Sequence, residues 1–309
     1  MIKAMSHAKV IINPVAGGGR SGKWWPRISE LLKDTGLSFN HSFTEGVGHG
    51  IELARDAVDK GYELVIAVGG DGTLNEVVNG LVDKENKVRT MLGIITTGTG
   101  GDAGRTLGIP GHYADACRLL ANMKKLTIDL GVVEYASNNR RVRRFYINTA
   151  GLGLDAAVVE KAERFRRFKI MRGTIPFVVG FLTTIITYHG KDVISNIDGK
   201  ERRERNLLIV VNNGCYFGGG MKIAPHADPG DGLLDWVRVA DMGKIRLLWN
   251  SPRVYRGTHI TLPTVRVGRA RSIEVEAKER MLLQVDGELV GQAPATFSVL
   301  PTALTVVVG

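Results

Sequence analysis

The residues best suited to chemistry lie in one segment, Gly69-Gly70-Asp71-Gly72-Thr73-Leu74-Asn75-Glu76, which follows the apolar run 64–68 and opens a helical pattern. Glycines let a backbone approach a phosphate closely, and the N–H groups and dipole at the start of a helix favour an anion there. Because the Asp71 carboxylate would repel phosphate, it suits a metal ion or a water molecule held beside the phosphates. The segment therefore predicts a nucleoside triphosphate site in preference to a plain strand-to-helix turn.

The elements that must position this segment alternate between strand and helix over the first 130 residues. Strands are predicted at 9–13, 39–43, 64–68 and 92–96, and helices at 21–35, 50–60, 73–82 and 113–122. The alternation predicts a parallel sheet with helices on both faces, and such sheets bind ligands at the carboxyl ends of their strands. The segment and these strand ends supply the candidate nucleotide-binding residues, which are Asn13, Thr44, Gly69, Gly70, Asp71, Gly72, Thr73, Asn75 and Thr99.

Beyond residue 127 the pattern changes to short runs with strand character. Asp-Gly pairs punctuate these runs at 198–199, 231–232 and 286–287, as turns between antiparallel strands do. One helical insertion is predicted around residues 152–188. The second half of the chain therefore predicts an antiparallel β domain.

The composition is that of a soluble globular protein, with 44% hydrophobic and 23% charged residues. The two cysteines, Cys117 and Cys215, cannot form a disulfide framework, which favours a reducing compartment. The longest apolar stretch, residues 175–188, is too short to span a bilayer. These features predict a cytoplasmic protein.

The positive charge is concentrated in the second half, where residues 131–309 carry 26 of the 41 Lys and Arg residues and 17 of the 31 acids. Basic clusters occur at 140–144, 161–172 and 202–205, and the second of them interleaves cations with apolar residues. A basic surface suits an anionic partner such as membrane lipid or nucleic acid, while a solvated surface is the alternative.

Two other glycine motifs fit known patterns but lack the context that those patterns require. Residues 17–24 nearly match the P-loop, yet Trp24 stands where a hydroxyl group must hold magnesium. Residues 151–156 match G-x-G-x-x-A after a strand, but no βαβ unit surrounds them. A close-packed turn is the better interpretation of the second motif.

The segment at 69–76 resembles the GGDGT loop of NAD kinases, phosphofructokinases and the diacylglycerol kinase catalytic domain. Further blocks resemble the diacylglycerol and sphingosine kinase family in order and spacing over nearly the whole chain. These blocks are 10–18, 98–105, 213–221, 228–235 and 286–288. One residue departs from the family pattern, because Gly101 stands where Asn is usual, and no role is carried over to it.

The resemblance implies roles for residues whose type alone leaves alternatives open. The peptide 228–233 resembles the family's magnesium-binding peptide, which implies metal ligands from the Asp231 carboxylate and from main-chain oxygens of Asp228 and Leu233. From its spacing, Glu288 is either a solvated turn residue or a side chain aimed into a site. The resemblance implies that it is the general base, with Asp71 as the second catalytic residue.

The resemblance also implies the division of the chain. Residues 1–130, with the last strand at about 300–309 returning to them, are expected to form an α/β nucleotide-binding domain. Residues 131–299 are expected to form a β-sandwich-like domain that binds the lipid acceptor and the metal.

The leading hypothesis is an ATP-dependent, Mg²⁺-requiring kinase whose acceptor is a lipid hydroxyl group of diacylglycerol-like, sphingoid or glycerophospholipid type. The alternatives are an NAD-kinase-like enzyme that acts on a soluble nucleotide, and an inactive regulator that binds nucleotide or lipid. We expect a lipid substrate at the membrane surface, peripheral contact with anionic membrane, and no nucleic acid partner. The oligomeric state stays open, with a homodimer as one alternative.

Overall fold

A computed structural model of the protein describes residues 7–98, 100–137, 140–167 and 175–309. The candidate residue Thr99, and the part of the basic segment 161–172 beyond residue 167, lie outside the described residues. The chain divides into two compact units: unit 1 is Met1–Asp129 with Thr302–Gly309, and unit 2 is Leu130–Pro301. In the described ranges, no helix combines the length and the apolar character that crossing a membrane requires.

Unit 1 follows the predicted alternation of strand and helix. Its strands are β1 (Ala8–Ile12), β2 (Phe39–Phe43), β3 (Leu64–Gly69) and β4 (Met91–Thr96), and its helices are α1 (Ala16–Asp34), α2 (His49–Asp59), α3 (Asp71–Leu81), α4 (Asp102–Thr106) and α5 (Tyr113–Asn122). Helix α1 is interrupted at Gly17, Gly18 and Gly19, which all have positive φ. Regular helix therefore begins after these glycines, close to the predicted start at residue 21.

The four strands of unit 1 are parallel and lie in the order β2-β1-β3-β4. Helix α1 packs with α5, and α2 packs with α3, so that helices cover the sheet. Every residue of β1 and β3 is buried, as expected for strands covered on both faces, whose sequences are continuous apolar runs. The predicted α/β sheet is confirmed.

Unit 2 is rich in strands. They are β5 (Lys124–Ser137, which begins in unit 1), β6 (Arg140–Tyr146), β7 (Thr149–Gly153), β8 (Lys191–Ile197), β9 (Lys200–Asn212), β10 (Leu234–Ala240), β11 (Val265–Ala270), β12 (Ser272–Ala277), β13 (Leu282–Val285), β14 (Glu288–Gln292) and β15 (Ala295–Val308, which ends in unit 1). Its helices are α6 (Leu154–Arg167), α7 (Ile175–Thr187), α8 (Lys244–Asn250) and α9 (Pro252–Tyr255).

The strands of unit 2 pair in the order β14-β13-β7-β9-β8-β12-β15, and β10 pairs with both β9 and β11. Each of these pairs is antiparallel. Inward-facing side chains such as Tyr146, Leu283 and Phe297 form the main hydrophobic core. The predicted antiparallel, sandwich-like β domain is confirmed.

The predicted helical insertion is present and begins at Leu154, because β7 continues to Gly153 between β9 and β13. Two other details of unit 2 differ from the prediction. A second insertion, α8 with α9, was not predicted, since these helices are short and several of their apolar side chains face outward. The Asp231-Gly232 pair lies between the neighbouring antiparallel strands β9 and β10, but in a long connection and not in a tight two-residue turn.

The contact between α2 and α3 fixes the direction of α3, the helix that the Gly69–Glu76 segment opens. The buried Glu76 side chain accepts hydrogen bonds from the N–H groups of Gly48 (2.7 Å) and Gly50 (2.9 Å) at the start of α2. Further along, a Cβ atom added at Gly80 would lie 2.5 Å from Ala54 Cβ and would also collide with the carbonyl of Ile51. The two helices therefore pack through a position that admits only hydrogen.

Gly80→Val should destabilise unit 1 by about 1–3 kcal/mol, because overpacking pushes backbone atoms of α2 that cannot move independently. Gly46→Val is the matched control, since a Cβ there meets no atom within 4 Å. Thermal unfolding of both variants measures the difference. Equal melting temperatures for the two variants would contradict this account of the α2–α3 contact.

Candidate active site

The candidate nucleotide-binding residues of unit 1 collect at one edge of its sheet. Asn13, Thr44, Gly70 and Thr97 each directly follow the last residue of a parallel strand. In the order β2-β1-β3-β4, the chain leaves β1 toward one side and β3 toward the other. The loops after β1 and β3 therefore flank the topological switch point, where open α/β sheets bind their ligands.

A hydrogen bond links these two loops directly. The Asn13 side-chain amide donates to the Thr73 hydroxyl (3.0 Å), and its carbonyl oxygen accepts from the N–H of Val15 (3.2 Å). Position 69 must be glycine, since a Cβ there would lie 2.5 Å from the Thr73 Oγ1 atom. Asn13 and Thr73 thus hold the β1 loop against the start of α3.

The start of α3 is open to an anion. Gly70 is its N-cap residue, and no side chain in the described part of the chain caps it. The N–H groups of the first turn have no partner within the helix, and the helix dipole adds positive potential there. Among the other candidates, Asn75 is fully buried within α3 and accepts from the Asn79 amide (3.2 Å), while Thr44 is buried after β2.

Asp71 has a structural task that its sequence context did not reveal. Its carboxylate accepts hydrogen bonds from the N–H groups of Gly101 (2.9 Å) and Asp102 (3.1 Å) at the start of α4. Arg105 closes the same loop by donating to the Gly100 carbonyl and to the Asp102 carboxylate (2.7 Å). Asp71 therefore joins the loop after β3 to the loop after β4.

The departure at Gly101 has a conformational reason. Gly101 is the N-cap residue of α4 and has a φ of 66°. Gly and Asn are the residues that adopt this left-handed conformation most readily. The substitution keeps the backbone of this loop and removes a side chain.

The P-loop-like segment reaches the same edge by another route. Three successive glycines with positive φ, at positions 17–19, lead to the buried Ser21, whose hydroxyl shares a hydrogen bond with the Thr97 hydroxyl. Trp24 stacks on Tyr113 with ring centroids 5.1 Å apart. Trp24 thus packs as an aromatic side chain.

In unit 2, a tight turn places the predicted base Glu288. Val285 pairs with Glu288 across Asp286 and Gly287, whose φ values of 46° and 85° are those of a type I′ hairpin turn. The buried Asp286 carboxylate accepts from three successive N–H groups, those of Ile147 (3.1 Å), Asn148 (3.2 Å) and Thr149 (2.9 Å). Asp286 therefore anchors the turn to the connection between β6 and β7.

Glu288 forms an ion pair with Arg144 of β6. The two neighbouring arginines at 141 and 143 point to the other side of the strand, where both pair with Glu134. Strand alternation thus separates Arg144 from Arg141 and Arg143. The sequence analysis grouped these arginines as one basic surface, but the structure pairs three of them with carboxylates.

A second carboxylate, Asp155, is coupled to this turn and was not predicted. The buried Gln284 side chain accepts from the Gly287 N–H (2.9 Å) and donates to Asp155 Oδ2 (2.9 Å). Burial raises the pKa of Asp155 to about 6. Within the described residues, Asp155 Oδ1 and the Tyr188 hydroxyl are both buried and have no hydrogen-bond partner.

Glycines keep the space around these two polar groups open. A Cβ at Gly153 would lie 3.1 Å from the Tyr188 hydroxyl, and one at Gly151 would collide with the Asp155 carboxylate. Residues 151 and 153 lie on the same face of β7. The G-x-G part of the 151–156 motif therefore lies in strand β7 and not in the predicted close-packed turn, and its glycines admit the close approach of a carboxylate and a phenol.

The predicted metal peptide forms a compact acidic loop. Asp228 Oδ1 accepts from the Gly230 N–H (3.0 Å), and Asp231 Oδ1 accepts from the Leu233 N–H (3.0 Å). Asp231 Oδ2 lies 3.4 Å from Arg269 Nη1, and Asp235, whose pKa is raised mainly by burial, contacts the same guanidinium at 3.6 Å.

The donor atoms of this loop decide whether magnesium fits. Over the described part of the chain, no cluster of three or more His, Cys, Asp or Glu side chains could hold a metal ion. A carboxylate oxygen with main-chain oxygens is nevertheless a hard, oxygen-only donor set of the kind that Mg²⁺ prefers, with water completing the shell. The peptide therefore fits Mg²⁺, with Arg269 as the competing cation.

Comparison with known proteins divides the chain into nearly the same two parts as the structure does. Residues 7–133 match the diacylglycerol kinase catalytic domain, and residues 148–308 match the YegS C-terminal NAD kinase beta sandwich-like domain. A diacylglycerol kinase of Bacillus subtilis is 28% identical over 294 residues, covering 95% of this chain and 93% of that protein. A diacylglycerol kinase of Staphylococcus haemolyticus is 30% identical over 295 residues, covering 94% and 84%.

The fold is shared with a solved structure of a diacylglycerol kinase from Bacillus anthracis, at a TM-score of 0.73 and 22% identity over 99% of this chain and 98% of that chain. The sequence similarity spans both units and includes the Gly69–Glu76 loop of one and the Asp286–Glu288 turn of the other. On this basis the chain belongs to the diacylglycerol kinase family of lipid kinases.

Proposed function

We propose that this protein transfers the γ-phosphoryl group of ATP to a lipid hydroxyl group of diacylglycerol-like, sphingoid or glycerophospholipid type. The observation that carries the proposal is the uncapped start of α3 at the switch point of the unit 1 sheet. Kinases of this family use ATP. The relatives named diacylglycerol kinase cover nearly the whole chain, which supports an acceptor of lipid type.

Unit 1 would bind the phosphates. Helix α3 begins at the carboxyl edge of the sheet, and its N-cap residue, Gly70, has no side chain to cap it. The N–H groups and the dipole at such a helix start favour an anion. Asp71 faces the start of α4 and not the start of α3, so its charge does not occupy the anion site. The remaining candidates, Asn13, Thr44 and Thr73, would shape the loops around the nucleotide.

Glu288 would accept the proton of the acceptor hydroxyl group. A lipid hydroxyl has a pKa far above 7, and a carboxylate within hydrogen-bond reach assists its attack on phosphorus. In the present arrangement one carboxylate oxygen of Glu288 binds Arg144. The guanidinium of Arg144 holds the carboxylate in one orientation.

Asp155 and Tyr188 would bind polar groups of the acceptor. Each presents a buried oxygen atom without a hydrogen-bond partner in the described structure, and such atoms cost free energy until a ligand or water satisfies them. Gln284 joins Asp155 to the Asp286-Gly287 turn. An acceptor with two polar groups could therefore contact Glu288 and Asp155 together.

The metal peptide would hold Mg²⁺ through the Asp231 carboxylate and the main-chain oxygens of Asp228 and Leu233. When bound, Mg²⁺ neutralises phosphate charge. Asp231 favours Mg²⁺ binding and Arg269 opposes it, because the Asp231 carboxylate cannot bind both cations equally well. Asp231 would give up its 3.4 Å contact with Arg269 in order to hold the metal.

The proposal is tested by incubating the purified chain with γ-labelled ATP and a panel of acceptors. The panel contains diacylglycerol, sphingosine and phosphatidylglycerol in mixed micelles, NAD in solution, and no acceptor. Transfer to one or more lipids and not to NAD supports the proposal. Transfer to NAD alone supports the soluble-nucleotide alternative, and no transfer to any acceptor contradicts a kinase activity of either kind.

Asp71→Ala should lower lipid phosphorylation by about two to four decades, because the loops that surround the phosphates lose their shared anchor. The matched control is Asp83→Ala, since Asp83 likewise accepts from two loop N–H groups, those of Glu85 and Lys87, at 2.8 Å each. Initial rates and melting temperatures of both variants are compared. Near-native turnover of folded Asp71→Ala protein would contradict the assignment.

Glu288→Gln should lower turnover by about two to four decades while ATP affinity stays unchanged, because the amide keeps the shape of the carboxylate but cannot accept a proton. Arg144→Gln should lower turnover less, since it frees the carboxylate without removing it. Arg141→Gln is the control from the other face of β6. Retained turnover with lost ATP affinity in Glu288→Gln would make Glu288 a nucleotide-binding residue.

Asp155→Asn should raise the melting temperature at pH 7. The pKa of Asp155 is raised to about 6 in the folded protein, so the fold prefers the protonated form more strongly than the unfolded chain does. Stability from this group is therefore greatest below about pH 4 and declines as the pH rises through 4 to 6. The variant should lose this decline, whereas the exposed Asp192→Asn should keep it.

A further inference from the structure

Helix α7 has an exposed apolar face that packing within unit 2 does not explain. Thr184 and Ile185 are buried on its inner side, where it packs against α6. Four apolar residues with the spacing of a single helical stripe are exposed on its outer side: Ile175 (55%), Val178 (54%), Leu182 (45%) and Ile186 (71%). A helix at a water-facing surface normally carries polar residues on its outer face.

Helix α8 lies beside α7 and continues this apolar surface. Leu247 packs toward the core, whereas Ile245 and Trp249 are 85% and 84% exposed. We name Ile175, Val178, Leu182, Ile186, Ile245 and Trp249 the docking face. Single exposed apolar residues are common, but a group of this size on two adjacent helices indicates an interaction surface.

Positive charge predominates beside the docking face. Residues 242–273 contain seven Lys and Arg residues and neither Asp nor Glu. Asp241, which lies beside Lys244, is paired with Arg205. Lys244, Arg246, Arg253 and Arg256 belong to α8 and α9 or directly follow them, and none of them forms an ion pair with a carboxylate of the described residues. Helix α7 itself carries no charged residue.

We infer that the docking face binds the surface of an anionic lipid bilayer. Aliphatic side chains enter the boundary between headgroups and acyl chains, tryptophan favours that same depth, and cations on the flanks attract anionic headgroups. All three parts are present on α7, α8 and α9. The inference extends the proposed function, because a lipid acceptor must be reached at a membrane.

The charge pattern favours a bilayer over a second copy of this chain. A twofold contact would bring each docking face against its own equivalent and would place like charges opposite each other. The docking face also differs from the basic segment 161–172. On that segment the Lys161 ammonium is bound to the Thr183 carbonyl (3.0 Å) and the Thr187 hydroxyl (2.6 Å), and residues 168–174 lie outside the described structure.

Co-sedimentation of the full chain with vesicles, without ATP, tests the inference. The vesicles are phosphatidylcholine alone or phosphatidylcholine mixed with phosphatidylglycerol. Ile245→Ser with Trp249→Ser should weaken binding to the mixed vesicles by about tenfold or more, because both apolar side chains leave the bilayer. Val47→Ser, at a position that is 98% exposed in unit 1, should have no effect.

Arg246→Gln with Arg256→Gln should weaken binding to the mixed vesicles by about tenfold and should leave the weak binding to neutral vesicles unchanged. Lys33→Gln with Lys84→Gln removes the same charge from exposed positions in unit 1 and is the control. Unchanged binding of the Ile245 and Trp249 variant would overturn the inference. Equal affinity of the native chain for both kinds of vesicle would overturn its electrostatic part.

Two further measurements separate the other outcomes. If sedimentation velocity shows a dimer that the Ile245 and Trp249 variant dissociates while vesicle binding persists, the occupant of the face is a second copy. Phosphorylation of a short-chain, water-soluble acceptor should be the same in the native chain and in this variant. If the native chain binds vesicles through the face but phosphorylates no acceptor, the proposed function fails and the docking inference stands.

Discussion

Hydrogen bonds from loop N–H groups to carboxylates are the interaction on which the functional loops of both units depend. A buried N–H group without a partner is costly, so a loop that leaves a strand needs an acceptor nearby. Glu76 supplies it for the start of α2, Asp71 for the start of α4, and Asp286 for the connection after β6. In each case one carboxylate satisfies at least two N–H groups and so fixes the position of a whole loop.

This constraint changes how the acidic residues of the motifs are interpreted. Asp71 and Asp286 stand in the most distinctive motifs of the chain, yet the carboxylate oxygens of both accept hydrogen bonds from backbone N–H groups. Glu288 and Asp155 instead contact side chains, those of Arg144 and Gln284, that can be exchanged for a ligand. We propose that Asp71 and Asp286 arrange the loops and that the chemistry depends on residues such as Glu288 that those loops present.

The sequence was sufficient for the architecture and for the juxtaposition of the loops in unit 1. Alternating apolar runs predicted the parallel strands, and the carboxyl ends of parallel strands must meet at one edge, which brought Asn13 and the Gly69–Glu76 segment together. Arg144 and Asp155 could not be predicted, because their partners lie more than a hundred residues away and the pairing depends on strand register. The alternation of side chains along β6 nevertheless predicts that Arg144 lies on the opposite face from Arg141 and Arg143.

The shared strand β15 has a consequence for biosynthesis. Residues 302–309 belong to unit 1, where Val306 pairs with Leu92 of β4 and the Thr302 N–H binds the buried Asp129 carboxylate (2.6 Å). Residues 1–129 are translated well before residues 302–309. One edge of β4 therefore has no strand partner while residues 130–301 are made. Unpaired strand edges promote aggregation. Until residues 302–309 are made and pair with β4, this edge is therefore a place at which the nascent chain can aggregate.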